Sequence, residues 1–225
     1  MFLRTLCLIV CITSFLTSWS QVSRELYPDG KKKAEGMIKD GNKEGLWYFF
    51  DENGFKKEET LFTSGTREGK TTRWYDNGKK EFEGTYINGK LNGHAEGWNR
   101  DGSLDMKGWL KDDLQDSTWV FYHPNGKPGS TGTFKAGLLE GNWIYYYDSG
   151  ETWKTGSYVG GKKNGLWTFY YTDGKKHHAG EYLNDKEHSD WVSWFQNGQV
   201  KDSGQYDTGL IVNTWKAWYE QCPIS

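Results

Sequence analysis

The chain has 225 residues with 28 basic and 30 acidic side chains, so it can bury a sizeable core and is close to electroneutral. Mixed signs without a basic excess exclude a nucleic-acid binder. Aromatics supply 17% of the residues beside 29 glycines and 13 tryptophans, so whatever holds the chain together uses rings and turns more than an aliphatic interior.

The first stretch, MFLRTLCLIVCITSFLTSWS, reads as a separate object. Arg4 precedes an apolar run from Leu6 to Leu16, and the small residues Ser18 and Ser20 suit cleavage before Gln21. The run is too short to span a bilayer, so residues 1–20 are expected to be a secretory signal peptide. A lipid anchor on Cys7 or Cys11 is the alternative; against it, bulky Leu6 and Val10 sit where a small residue is wanted. Cleavage removes both cysteines and Arg4, leaving 27 basic against 30 acidic side chains, a charge of −3. Cys222 is then the only thiol, and no intrachain disulfide can form.

From residue 21 onward the chain is a repeat. Turn pairs ending in Gly30, Gly54, Gly78, Gly102, Gly126, Gly150, Gly174 and Gly198 fall 24 residues apart without insertion or deletion. A second series runs through Gly36, Gly84, Gly108, Gly132, Gly156, Gly180 and Gly204, lapsing at Thr60. A third marks another turn at Gly41, Gly65, Gly89, Gly137, Gly161 and Gly209, with Asp113 and Asp185 as substitutes. Tryptophan recurs at Trp47, Trp119, Trp143, Trp167, Trp191 and Trp215, lapsing at Thr71 and Ala95. Three residues later an aromatic never fails, from Phe50 and Trp74 through Tyr146 and Tyr170 to Trp218.

Each unit therefore predicts two short strands and two turns. The aromatic run of NWIYYYDSG alternates, with Trp143, Tyr145 and Tyr147 on one face and Ile144 and Tyr146 on the other. The Gly-x-aromatic run that follows places a glycine where a large ring can lie across the backbone. Pro28 and Pro124, two residues before a turn glycine, favour a type I turn with glycine in a G1 bulge over a two-residue type I′ turn. No helical apolar stripe survives between such closely spaced glycines. The expected fold is all-β: an elongated, single-layer antiparallel meander of about sixteen strands in about eight 24-residue hairpin repeats, roughly 75 Å long. Residues 21–30 form a degenerate first half-repeat with Ser23 in the tryptophan slot. Residues 213–225 form a truncated last one, with Cys222 in a turn-glycine slot and Pro223 helping to stop it.

GTYINGKLNG (Gly84–Gly93) and GSYVGGKKNG (Gly156–Gly165) resemble MORN repeats. The following LWTFYYTDG is similar to the MORN variant of bacterial proteins grouped as YwqK-type antitoxins. The resemblance covers essentially the whole of residues 21–225 and implies β-hairpins stacked into a curved, elongated sheet. For function it implies scaffolding, with protein partners or phospholipids, and it carries no catalytic residues.

The chemistry-bearing side chains do not converge. His94, His123, His177, His178 and His188 occupy different repeat slots and read as solvated strand and turn histidines, not a metal set. Lysines after the turn glycine (Lys56, Lys57, Lys79, Lys80, Lys175, Lys176) stack into a basic stripe that either keeps the edge soluble or meets an anionic surface. The columns Trp119, Trp143, Trp167, Trp191, Trp215, Tyr146 and Tyr170 form either the core or a row that stacks on sugars or choline groups. The expectation is a non-enzymatic, cofactor-free scaffold, exported to the periplasm, cell envelope or medium, that binds a protein partner or envelope component. An envelope glycan, choline or anionic-lipid module, touching a membrane at most peripherally, is the alternative, and a hydrolase is remote. The lone Cys222 reads as an inert thiol.

Overall fold

The computed structural model describes residues 20–220. The leader reading, apart from Ser20, and the Cys222 reading lie outside the described residues. The first strands are β1 (Ser20–Leu26), β2 (Lys32–Lys39), β3 (Asn42–Phe50), β4 (Lys56–Thr63), β5 (Thr66–Trp74) and β6 (Lys80–Ile87). They continue as β7 (Lys90–Leu91), β8 (Gly93–Trp98), β9 (Leu104–Lys111), β10 (Leu114–Tyr122), β11 (Pro128–Lys135) and β12 (Leu138–Tyr146). The last six are β13 (Thr152–Val159), β14 (Lys162–Tyr170), β15 (Lys176–Leu183), β16 (Lys186–Trp194), β17 (Val200–Asp207) and β18 (Leu210–Ala217). Consecutive strands pair antiparallel, except that β7 and β8, one strand interrupted at Asn92, both pair with β6, and β8 with β9. The meander continues unbroken to β18.

The architecture is thus the expected all-β meander in one open sheet, and only the strand count differs. Eighteen strands stand where about sixteen were expected, because the half-repeats at both ends pair fully and one strand is split. Ser23 does pair across from Gly36, whose covering ring comes from its other flank, where Trp47 lies over it.

Two kinds of turn alternate. At the first, Gly30 N–H donates to Tyr27 O (2.9 Å) and Tyr27 N–H to Lys31 O (2.8 Å), with Gly30 at φ 86°. This is the type I turn with a G1 bulge, and it recurs to Gly198, which donates to Phe195 O at 2.8 Å. The second is a two-residue loop with both central residues at positive φ, such as Asn88 (51°) and Gly89 (79°), the type I′ geometry. There the second residue's N–H reaches back one repeat: Gly65 to Lys43 O (2.8 Å), Gly137 to Gln115 O (2.8 Å), Gly209 to Glu187 O (2.8 Å).

The tryptophans are explained by a bulge. Opposite Gly156 the partner strand runs Gly165, Leu166, Trp167, because Thr155 pairs with Thr168 and Ser157 with Asn164. Gly165, at φ 75°, turns the chain so that Trp167 folds flat over Gly156, where a Cβ would lie 2.1 Å from the Trp167 ring. The indole Nε1–H then donates to Ser157 O at 3.2 Å. On its other flank Trp167 stands directly across from Gly180. The same arrangement seals Trp47, Trp119, Trp143 and Trp191, and Trp47 and Trp167 are 0% exposed in a sheet with no second layer. Where Thr60 replaces the glycine, Thr71 replaces the ring, and Thr71 Oγ1 donates to Glu59 O at 3.2 Å.

Candidate functional surface

One face of the sheet carries a continuous row of rings. From Trp119 through Phe121, Phe134, Trp143, Tyr145, Tyr158, Trp167, Tyr182, Trp191 and Tyr206 to Trp215, neighbouring ring centres lie 5.1–6.3 Å apart. A shorter cluster of Trp47, Phe49 and Phe62 lies on the other side of the Thr60–Thr71 lapse. The predicted aromatic column is therefore interior: Trp119, Trp143, Trp167 and Trp191 are buried, while Trp215, near the edge, is half-buried and its Nε1 has no partner among the described residues.

The turn edge holds a second ladder, which sequence reasoning missed. Tyr27, Tyr75, Tyr147 and Tyr171 each donate their hydroxyl to a carbonyl of the next repeat, at Phe50, Trp98, Tyr170 and Trp194, over 2.7–2.8 Å. His123 occupies this tyrosine slot, with Nε2 3.1 Å from Tyr146 O and Nδ1 3.1 Å from Asp148 Oδ1, so it is a built member of the edge and not a solvated turn residue. The signal was a tyrosine column four residues before the lysines.

Of the predicted lysine stripe, Lys79 and Lys175 are consumed in the same way. Lys31, Lys127 and Lys175 donate to Glu52 O (2.8 Å), Ser149 O (2.6 Å) and Gln196 O (3.0 Å), and Lys79 to Asp101 O. Lys56 covers the Trp74 ring at 3.7 Å and pairs with Glu59 at 3.0 Å. Lys80 covers Trp98 at 5.1 Å and pairs with Glu83 at 2.8 Å, and Lys176 lies 5.7 Å from the Trp194 ring. Lys57 stays exposed. Tyr146 and Tyr170 are half-buried and contribute the carbonyls that His123 and Tyr147 use.

What remains free lies elsewhere. At the neck of five consecutive type I′ hairpins one apolar side chain faces one lysine: Ile87–Lys90, Leu114–Lys111, Leu138–Lys135, Val159–Lys162 and Leu183–Lys186. All ten residues are exposed, Leu138 at 53%. Strand alternation puts Ile87 and Leu138 on the face opposite Tyr86 and Leu139 of the ring row. Among the described residues only Lys90 of these lysines approaches an acid, Asp112, and then at 4.0 Å.

On the ring face two lysines meet at one ring, whereas in the Lys163 slot five repeats earlier Lys43 lies over Trp47 at 4.1 Å and pairs with Glu25 at 3.0 Å. Lys154 lies 4.4 Å from the Tyr145 ring and 4.1 Å from the Trp153 ring, and Lys163 lies 4.6 Å from Tyr182. Both approach Trp167, at 6.0 and 5.0 Å. Burial, with the Lys163 charge, pushes the Lys154 ammonium below the usual lysine range. Burial and the Glu187 carboxylate push the Tyr182 hydroxyl up to about 12, and Tyr145, buried and bonded to Tyr158 at 2.9 Å, is raised as well. Next to them a groove of about 770 Å³ is lined by Tyr145, Tyr147, Trp153, His123 and the Asp148–Ser149 turn. Among the described residues no group of three or more His, Cys, Asp or Glu side chains is placed to hold a metal, and His177 and His178 meet only each other and neighbouring rings.

Against known proteins, the solved structures found include a mutant of S. aureus TarM in complex with Fondaparinux, alpha-GlcNAc-glycerol and UDP. It is 18% identical, over 53% of this chain and 19% of that one, with a TM-score of 0.24. The GtfA/B complex bound to UDP and GlcNAc is 12% identical over 61% and 22%, with a TM-score of 0.17. A porin-like protein from Bacteroides uniformis ATCC 8492 is 9% identical over 87% and 93%, with a TM-score of 0.21. This chain spans about a fifth of the first two, and at these scores none carries an argument. No curated protein matches. The MORN repeat variant model matches residues 67–88, 115–136, 139–159 and 163–184. Each match spans one hairpin about a type I turn, so the hairpin from bulge glycine to type I′ turn is the unit of this chain that is similar to the MORN repeat variant.

Proposed function

We propose that this chain is an exported, non-enzymatic scaffold that holds an acidic protein partner along the row of type I′ hairpin necks. The observation that carries the reading is the alternation of lysine and apolar side chain at five consecutive necks, in a molecule whose turn-edge tyrosines and first turn lysines are mostly bonded to the next repeat. Two strands per repeat space the necks about 10 Å apart. A partner surface bearing carboxylates and apolar side chains at similar spacing would gain apolar burial at each neck and electrostatic steering from the lysines. Export rests on the leader-like residues 1–20, and an exported chain does not suit the cytoplasmic role that the antitoxin family name suggests.

The test is capture from the envelope fraction by the mature chain, compared with the variant Lys111→Glu/Lys135→Glu/Lys162→Glu. A partner that binds the parent and not the variant, with weaker binding as salt rises, supports the scaffold reading. Equal capture by both chains sinks it, and retention by anionic vesicles alone would move the surface to the membrane. N-terminal sequencing of the exported protein should begin at Gln21.

A further inference from the structure

We propose that Lys154, Lys163 and Trp153 form a binding site for an acidic carbohydrate, with the sugar ring against Trp153 and its carboxylate or sulfate between the two ammonium groups. The site lies on the ring face, opposite the necks, and goes beyond the scaffold reading.

Register provides the first argument. Four repeats earlier the same two slots hold Glu58 and Arg67, which bond to each other beside Tyr86. At Lys154 and Lys163 the acid is missing: both ammonium groups converge on the Trp167 ring, and neither has a carboxylate within ion-pair distance among the described residues. Glu187, in the Lys163 slot of the next repeat, is engaged with Tyr182. Two like charges half-buried on an aromatic floor repel each other and lose hydration, and a bound anion relieves both costs.

Trp153 is the second argument. Its slot elsewhere holds Lys33, Lys57, Glu81, Asp105, Gly129, His177 or Lys201, so the repeat does not require a ring there. Trp153 nevertheless remains 40% exposed, at 6.4 Å from Tyr145 and 6.3 Å from Tyr147, on the wall of the groove. That wall is pre-formed, because Tyr147 is tied to Tyr170 O and His123 to Tyr146 O. An open groove bounded by rings and turn backbone offers flat apolar faces to a sugar ring. The two departures from the repeat, Trp153 and Lys154, are adjacent and serve one ligand: a flat apolar face carrying an anion.

The experiment is titration calorimetry of the mature chain with a uronic-acid oligosaccharide, a sulfated oligosaccharide, a neutral oligosaccharide of equal length, and inorganic sulfate. At least one acidic oligosaccharide should bind roughly tenfold or more tightly than the neutral one and than sulfate alone. Lys154→Gln and Trp153→Ala should each weaken it by about tenfold or more, while Lys39→Gln, on the exposed end of distant β2, leaves it unchanged. Thermal unfolding of each variant reports whether the fold persists. No binding of either acidic oligosaccharide, equal binding of the neutral one, or full binding by folded Lys154→Gln overturns the proposal. None of these results bears on capture of a protein at the necks.

Discussion

Glycine and tryptophan act here as one residue split across two strands. The indole occupies the volume a Cβ would need at Gly156, so Gly156→Ala should lower stability by about 2–3 kcal/mol in denaturant unfolding. The double variant Gly156→Ala/Trp167→Ala should cost less than the two single changes added together, because the clash disappears with the ring. Strict additivity would mean that the ring does not depend on the glycine. Thr60 and Thr71 show the paired replacement already made within the chain. His178 supplies the residue-scale pH dependence. Burial, and then the His177 charge, push it down to about 4 from an ordinary value of 6.5, with Asp202 opposing. The unfolded chain therefore binds more protons between these values, so stability is full above about 6.5 and falls as pH drops towards 4. With the group about half exposed, the loss should be on the order of 1–2 kcal/mol, and His178→Gln should flatten that part of the stability–pH curve.

At the scale of the hairpin, the two turn types divide the work. The type I turn with its G1 bulge carries the tyrosine and lysine bonds to the next repeat, and the type I′ turn returns an N–H to the previous one. Tyr171→Phe removes one of these bonds, to Trp194 O, and should cost about 1 kcal/mol in chemical denaturation. Ala136 and Thr208 are weak turn residues, held at φ 49° and 50° where an L side chain is strained. Ala136→Gly should stabilise by about 0.5–1 kcal/mol, and no gain would mean that the turn does not limit the hairpin.

Across the whole molecule, cohesion passes only between adjacent repeats, as expected of a one-dimensional array. The ring row is broken at Thr71, leaving Ala34–Phe62 as a small cluster apart from the long one that begins at Phe82. Amide exchange should therefore be faster in β2–β4 than in β12–β15, while uniform protection would show that the backbone ladder alone sets cooperativity. A compact globule of this length has a radius of gyration of about 17 Å, whereas seventeen strand positions side by side, with β7 and β8 sharing one, extend roughly 80 Å. Small-angle scattering should return the larger dimension.

The sequence by itself determined the period, the strand pairs, the type I turns and the fold class, because 24-residue spacing and turn glycines are local signals. The Gly–Trp partnership was legible too, through their shared lapse at Thr60 and Thr71. The bulge glycines Gly45, Gly141 and Gly165 were visible as letters, but their role was not. Only pairing three residues against one shows that they turn the ring onto the sheet. The tertiary structure alone decided which side chains remain free. Lys79 and Lys111 look alike in sequence, yet Lys79 ends on a turn carbonyl one repeat away and Lys111 points to solvent. That difference depends on what lies about 22 residues along the chain, across two strands of the sheet. The same holds for Lys154 and Lys163, nine residues apart and converging on one ring only because the hairpin between them folds.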